Sequence, residues 1–212
     1  MDQNLTTQLL ADAKRGDRSA VGTLLERQRT RLKRMLALRI DGRLRSRIDP
    51  ADIVQDAFLE ASQRIDEYLR EPTAPFYVWL RFLVIQRLHI TYREHLGAQR
   101  RDARREVSLD DGYRAEASSE ALAAQLLGKF STPSQTLSRA ELRARLHEAL
   151  EALDTGDREV IALRHFEQLS NGETAHVLDI DESAASKRYV RAMRRLRELL
   201  VRIPGMAEYP WR

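Results

Sequence analysis

Hydrophobic positions recur at three- and four-residue spacing along almost the whole chain, and strand-like alternation of β-branched residues is missing. Thr6 to Lys14 reads as a short helix ending at Gly16. Val21, Leu24, Leu25, Leu32, Met35 and Leu36, with Arg and Gln between them, predict a longer helix that opens at Asp17 or Ser19. Asp41-Gly42 ends or interrupts it. Asp49-Pro50-Ala51-Asp52 supplies an N-cap, a proline suited to the first helical position and an acid at the positive end of the dipole. The helix so opened is expected to reach about Tyr68. Pro72 and Pro75 mark Leu69 to Pro75 as a loop, and Phe76 to His95 is a third strong helix. Beyond Gly97 come Arg100-Arg101, Arg104-Arg105, Asp110-Asp111-Gly112 and an Ala- and Ser-rich stretch, which read as a linker, partly helical between Ser118 and Leu127. Helices return at Ser138–Leu153, Asp157–Phe166, Ser170–Leu178 and Asp181–Leu200, with a break at Asp154-Thr155-Gly156. The expected fold is all-α: two small helical domains, 1–97 and 137–203, joined by a linker over 98–136 and followed by a tail over 204–212.

The last two helices, with Asp179-Ile180-Asp181 between them, have the shape of a helix-turn-helix (winged-helix-like) domain. Ala175 is small where the helices must cross, Ile180 is placed to plug the turn, and Asp181 is placed to cap the second helix. Asp179 stands where such turns commonly carry Gly, and Asp tolerates a left-handed backbone better than most residues. On the second helix Ala185, Tyr189, Ala192, Met193, Leu196 and Leu200 form the inward stripe. Ser183, Lys187, Arg191 and Arg194 point the opposite way, flanked by Ser186, Arg188 and Arg195. In a docked recognition helix the N-terminal half meets base edges, so Ser183, Ser186, Lys187 and Arg191 are candidates for base or mixed contacts. Arg188, Arg194 and Arg195 then suit phosphates. The alternative is an ordinary surface helix solvated by its charges.

The Asp49 helix gathers Ile53, Val54, Ala57, Phe58, Ala61, Ile65 and Tyr68 on one side. Its other side holds Asp52, Gln55, Asp56, Leu59, Gln63 and Asp66, so Leu59 is an apolar residue centred in an acidic, polar face. Such a residue suits an anchor for a basic partner helix, although a single exposed Leu is also ordinary. Asp49, Asp52 and Asp56 raise a hard-cation reading, but no His-carboxylate motif or phosphate loop accompanies them. The Phe76 helix is apolar nearly all round: Phe76, Trp79, Leu80, Leu83 and Ile90 on one face, Arg81, Ile85, Leu88 and Tyr92 on the other, and Phe82, His89 and Arg93 at the borders. Aromatic rings interleaved with Arg suit single-stranded nucleic acid, against a buried core helix as the alternative.

Composition narrows the classes. The 212 residues include no cysteine, which excludes a disulfide scaffold, thiol catalysis and cysteine-ligated metal. No apolar run approaches a membrane span, and Met1-Asp2-Gln3-Asn4 lacks the basic patch and apolar core of a signal peptide, so a soluble cytoplasmic protein is expected. The net charge is only +4, but it is concentrated. Glu182 to Arg202 holds seven basic residues against two acidic ones, and the rest of the chain has 29 against 30. Arg, which suits bidentate pairing with phosphate or guanine, supplies nearly all of them. The five histidines show no metal-ligand spacing, and neither a metal nor a cofactor is expected.

Three blocks together resemble bacterial sigma factors of the extracytoplasmic-function (ECF) type. DPADIVQDAFLEA (Asp49–Ala61) resembles the helix that binds the clamp helices of the RNA polymerase β′ subunit, and FYVWLRFLVIQRLHITYREHL (Phe76–Leu96) the helix that opens and reads the minus-ten promoter element. Leu150–Leu199 resembles the domain that reads the minus-thirty-five element, and its SAASKRYVRAMRRL is similar to planctomycete-type members. The resemblance implies a non-enzymatic subunit whose partners are core RNA polymerase, through the β′ clamp helices and the β flap, and promoter DNA. It implies that Asp52, Gln55, Asp56 and Leu59 face polymerase. It also implies that the Leu69–Pro75 loop, with Tyr68 and Gln86 beside it, forms a pocket for a flipped base. Arg81, His89, Tyr92 and Arg93 complete the minus-ten set. Gln86 stands where many relatives carry Asn, and Ile85 replaces a residue often basic there. Regulation by an anti-sigma factor and regulation by phosphorylation both stay open. Two other classes also remain: a helix-turn-helix repressor or activator acting without polymerase, and a nuclease using Asp49, Asp52 and Asp56.

Overall fold

The computed structural model describes residues 3–42, 44–100, 116–129 and 138–203. Among them are nine α-helices and no strand: α1 Gln3–Lys14, α2 Arg18–Arg39, α3 Pro50–Arg70, α4 Phe76–Arg100, α5 Ser119–Lys129, α6 Arg139–Glu151, α7 Thr155–Ile161, α8 Asn171–Leu178 and α9 Glu182–Leu200. A single π-helical turn, Ala162–Phe166, extends α7. The basic and acidic runs expected between residues 101 and 115, and the tail with Tyr209 and Trp211, lie outside the described residues.

The chain divides into two units, Met1–Leu36 with Gly42–Ala115, and Ala37–Asp41 with Glu116–Arg212. In the first, α3 opens as its sequence requires. Asp49 accepts the Ala51 N–H at 2.7 Å, and Pro50 follows in the first turn. The α3 side chains facing the core are Ile53, Val54, Ala57, Phe58, Ala61, Ile65 and Tyr68, the stripe that the spacing predicts. α4 packs along α3, and Leu24, Leu32, Met35 and Leu36 of α2 are fully buried. Arg18 of α2 reaches Asp66 of α3 at 3.0 Å, and the Arg29 guanidinium lies 4.9 Å from the centre of the Phe58 ring.

The second unit is larger than the expected 137–203. α5, within the segment read as linker, packs against α6 and places Ala121, Leu122, Ala123 and Leu126 in the same core as Leu146, Leu150, Val160 and Leu196. Its Ala-rich composition is that of a close-packed helix as much as of a linker. Residues 37–41 also belong to this unit. Leu38 is wholly buried in its core, and the Ser118 N–H donates to the Leu38 carbonyl at 2.8 Å. The Arg39 side chain, fully buried, lies 2.5 Å from both Glu159 and Glu167. Burial opposes its charge, but the two carboxylates more than compensate and raise its pKa above the ordinary arginine value. The second oxygen of Glu159 accepts the Ala117 N–H at 2.9 Å, so one ionic cluster ties residue 39, the start of α5 and α7 together.

Removing one member of a buried ion cluster strands the others. Arg39→Ala is therefore expected to destabilise the second unit by about 3–5 kcal/mol, measured by urea denaturation. Ser170→Ala, which removes a helix cap with both reciprocal bonds in place, is expected to cost about 1 kcal/mol. An Arg39→Ala loss no greater than the cap's would show that the cluster is not the unit's principal polar tie.

Candidate nucleic-acid interface

α8 and α9 are built as a helix-turn-helix. Ser170 and Glu173 form a reciprocal capping box at the start of α8. Asp179 ends α8 in the left-handed conformation, φ 52° and ψ 50°. The Ile180 N–H returns to the Ala175 carbonyl at 3.1 Å, which closes the turn. Asp181 caps α9 by accepting the Ala184 N–H at 2.8 Å. Asn171 donates to the Glu182 carbonyl at 2.8 Å, so the starts of the two helices are tied directly. Ala175 is buried at the crossing, while Ile180 is only half-buried.

α9 turns Ala185, Ala192, Leu196 and Leu200 inward. Ser183, Ser186, Lys187, Arg191, Arg194 and Arg195 are exposed, and Arg188 is half-buried. Not all of these are equally available. Asp157, at the start of α7, is fully buried and accepts Arg195 at 2.8 Å and, more distantly, Arg191 at 3.4 Å. Arg195 also reaches Asp154 at 3.0 Å. The hydrogen bond and the charge of Asp157 raise the Arg195 pKa. Asp154 itself is held below the usual carboxylate range, chiefly by the Asp157 N–H that it caps. Arg191 and Arg195 are thus pinned on one side of α9, and Ser183, Ser186, Lys187 and Arg194 form the outward row.

On the first unit, Asp52, Gln55 and Asp56 are exposed on α3 around Leu59, which is itself 58% exposed. Gln55 accepts from Arg29 at 3.2 Å, and Arg87 of α4 approaches Asp56 at 3.9 Å. Asp49 is committed to its cap, and among the described residues no group of three or more His, Asp or Glu side chains could hold a metal ion.

The minus-ten set divides. Tyr68, Arg81 and Tyr92 are buried. Tyr68 stacks on Trp79 at 4.7 Å, meets Phe76 edge-on at 5.8 Å and donates its hydroxyl to the Ala74 carbonyl at 3.0 Å. Burial pushes its pKa up to about 12. α3 runs on through Arg70, and Tyr68 fixes the shorter loop after it, Glu71 to Pro75, from inside. Gln86 and Arg93 are exposed, and His89 is half-buried between them. The outward side of α4 therefore runs through Phe82, 55% exposed, with Gln86, His89 and Arg93, at helical spacing. This is about a quarter-turn from the Arg81, Ile85, Leu88 and Tyr92 face that the wheel suggests. An almost uniformly apolar helix carries little periodic signal to fix its rotation.

Residues 143–196 match the family model of sigma-70, region 4. The matched residues run from α6 into α9 and take in the helix-turn-helix. The likeness extends beyond region 4. Over 194 residues, 91% of this chain and 94% of the relative, it is 26% identical to the ECF RNA polymerase sigma-E factor of Haemophilus influenzae. Over 194 residues, with 93% of the relative covered, it is 28% identical to the ECF RNA polymerase sigma-E factor of Escherichia coli K12. Among solved structures, that of CnrH in complex with the cytosolic domain of CnrY matches with a TM-score of 0.53 and 27% identity, over 94% of this chain and 99% of that one. These likenesses support an ECF sigma factor, and they do not single out a planctomycete-type subfamily.

Two region 4 features escape the sequence reading. Asp157 reads as an ordinary first-turn acid; only a close match of acids in one helix with arginines some 35 residues later would have signalled it. Val190 lies on the outward face of α9, 65% exposed, among Ser186, Lys187 and Arg194. The same test that singles out Leu59, an apolar residue centred in a polar face, finds it.

His89 offers a check on the α4 face. Burial first, and Arg93 second, hold its pKa below the ordinary 6.5. On acidification the unfolded chain therefore takes up the proton before the folded one, and stability falls as pH drops below 6.5. By NMR titration the His89 midpoint is expected below 6.5. Arg93→Gln should raise it only part of the way, because burial remains. A midpoint at or above the ordinary value would contradict the half-buried placement.

Proposed function

We propose that this chain is a dissociable specificity subunit of RNA polymerase, an ECF sigma factor that binds core enzyme and directs initiation at particular promoters. The observation that carries this reading is that the likeness to ECF sigma-E factors spans 91% of the chain, and so takes in both units rather than region 4 alone. A free-standing repressor sharing only the helix-turn-helix would not carry the α3 face.

In this reading each surface has one task. Leu59, set among Asp52, Gln55 and Asp56, enters an apolar hollow between basic residues on the β′ clamp helices. Gln86, His89 and Arg93 meet the minus-ten strand once it separates. The buried Tyr68, Arg81 and Tyr92 shape that surface from beneath. α9 enters the major groove of the minus-thirty-five element through Ser183, Ser186, Lys187 and Arg194, while Arg188, Arg191 and Arg195 meet phosphates along its edge. Region 4 also touches the β flap. Two modest contacts on one chain reinforce each other through effective concentration, so the holoenzyme binds promoters that the free subunit binds weakly. The subunit carries out no covalent step.

Promoter-specific run-off transcription with purified core polymerase is the deciding measurement. The chain is expected to confer specific initiation, and Leu59→Asp should abolish it by loss of core binding with circular dichroism unchanged. Tight, specific operator binding in a gel shift without polymerase, together with no run-off product, would replace this reading with that of a repressor or activator.

A further inference from the structure

Among the described residues the large hydrophobic side chains left exposed are Leu59, Phe82, Val190 and Val201. Leu59 and Val190 each line a shallow hollow, but that of Leu59 is rimmed by both acids and arginines, whereas Val190 lies on α9 with Ser186, Lys187, Arg191 and Arg194 and no acid. Ser186 stands one turn before it and Arg194 one turn after it, so hydroxyl, isopropyl and guanidinium follow one another along the outward face. A face meant only for phosphates gains nothing from an apolar residue at its centre. A polar rim around a fixed apolar point instead matches the edge of a base pair. The apolar group offered in the major groove is the 5-methyl of thymine. The side chain is also well suited to discriminate: a β-branched residue in a helix holds essentially one rotamer, so its methyls are in place before contact.

We propose that Val190 is a specificity-determining residue that reads a thymine 5-methyl group in the minus-thirty-five element. This rests on the sigma-factor reading above. Cationic Lys187, Arg191 and Arg194 on either side complement the phosphates that border a groove, which favours duplex DNA as the occupant over an apolar protein surface.

The test uses the full chain bound to core polymerase. The preferred minus-thirty-five element is selected from a randomised promoter library. Each thymine in it is then replaced singly by deoxyuridine, which removes the 5-methyl and leaves every hydrogen-bonding group. At one thymine the substitution is expected to weaken binding by about threefold to fourfold, the worth of one methyl group removed from water. Val190→Ala should bind the thymine and deoxyuridine forms of that site equally, with core affinity and salt dependence unchanged. Because the residue is exposed and Ala favours helix, this variant should fold normally. A methyl effect that persists in Val190→Ala overturns the inference, as does its absence at every thymine or a selected element without thymine. Loss of core affinity in Val190→Ala also overturns it, assigning the residue to a protein contact. A wild-type chain that fails to bind core polymerase overturns the sigma-factor reading itself and this inference with it.

Discussion

The placement of α9 depends on one buried carboxylate. Asp157 is wholly shielded from solvent, and a lone carboxylate in that position would be strongly unfavourable. It is tolerated because Arg195 and Arg191 of α9 come to it, and they can do so only with α9 at one angle and rotation against α7. Asp154 adds a second hold on Arg195 while capping α7, so the start of α7 and the middle of α9 are fixed by the same two acids. The turn between α8 and α9 then has little freedom left, and Asp179 adopts the left-handed backbone it demands. The outward row of α9 is what this arrangement leaves over.

Arg39 solves the same problem with the charges reversed. One fully buried cation draws two acids to it, one from α7 and one just beyond the π-helical turn. It also brings residues 37–41 into the second unit, where they meet the start of α5. Purely apolar packing of Ala and Leu at these places would tolerate sliding. Charged groups that must find one another do not, so the two clusters set the register of a unit whose core is otherwise rich in interchangeable small side chains.

These ties mark where sequence reading succeeds and where it stops. α3 was legible in full because its cap, its proline and a strong apolar stripe all agree. The turn before α9 was legible because Asp181 is the residue type its cap demands and Asp179, in place of the usual Gly, tolerates the left-handed backbone better than most residues. α4 was legible as a helix but not in its rotation. Its apolar residues run nearly all round, and the polar tips of Arg81 and Tyr92 are buried with partners rather than exposed. α5 was legible as a helix, expected over Ser118 to Leu127 and observed over Ser119–Lys129, but its place in the second unit's core was not, because Ala and Ser suit both a linker and a tightly packed helix. Arg39 was illegible for a stronger reason: its partner Glu159 lies 120 residues away, and an isolated Arg in a helix ordinarily reads as solvated.

The same ties change the meaning of the charge surplus on α9. Counted along the chain, Glu182 to Arg202 carries seven cations against two acids, yet two of the cations face acids from α7. Pairing does not remove them from nucleic-acid contact. A guanidinium has five donors in a rigid fork, and Arg195 uses one nitrogen, Nη1, for both Asp154 and Asp157. Its remaining donors stay available at a side chain about half exposed, already aimed and with little rotamer freedom left to lose. What the acids subtract in net field they return in preorganisation, because a phosphate meets a guanidinium held in place rather than one it must first arrest. On the outward row Arg194 lies 3.8 Å from Glu198 of the same helix, an exposed pair that holds it only loosely. In the proposed reading, then, the edge of this one helix sets position and its centre discriminates, and Asp157 is what separates the two.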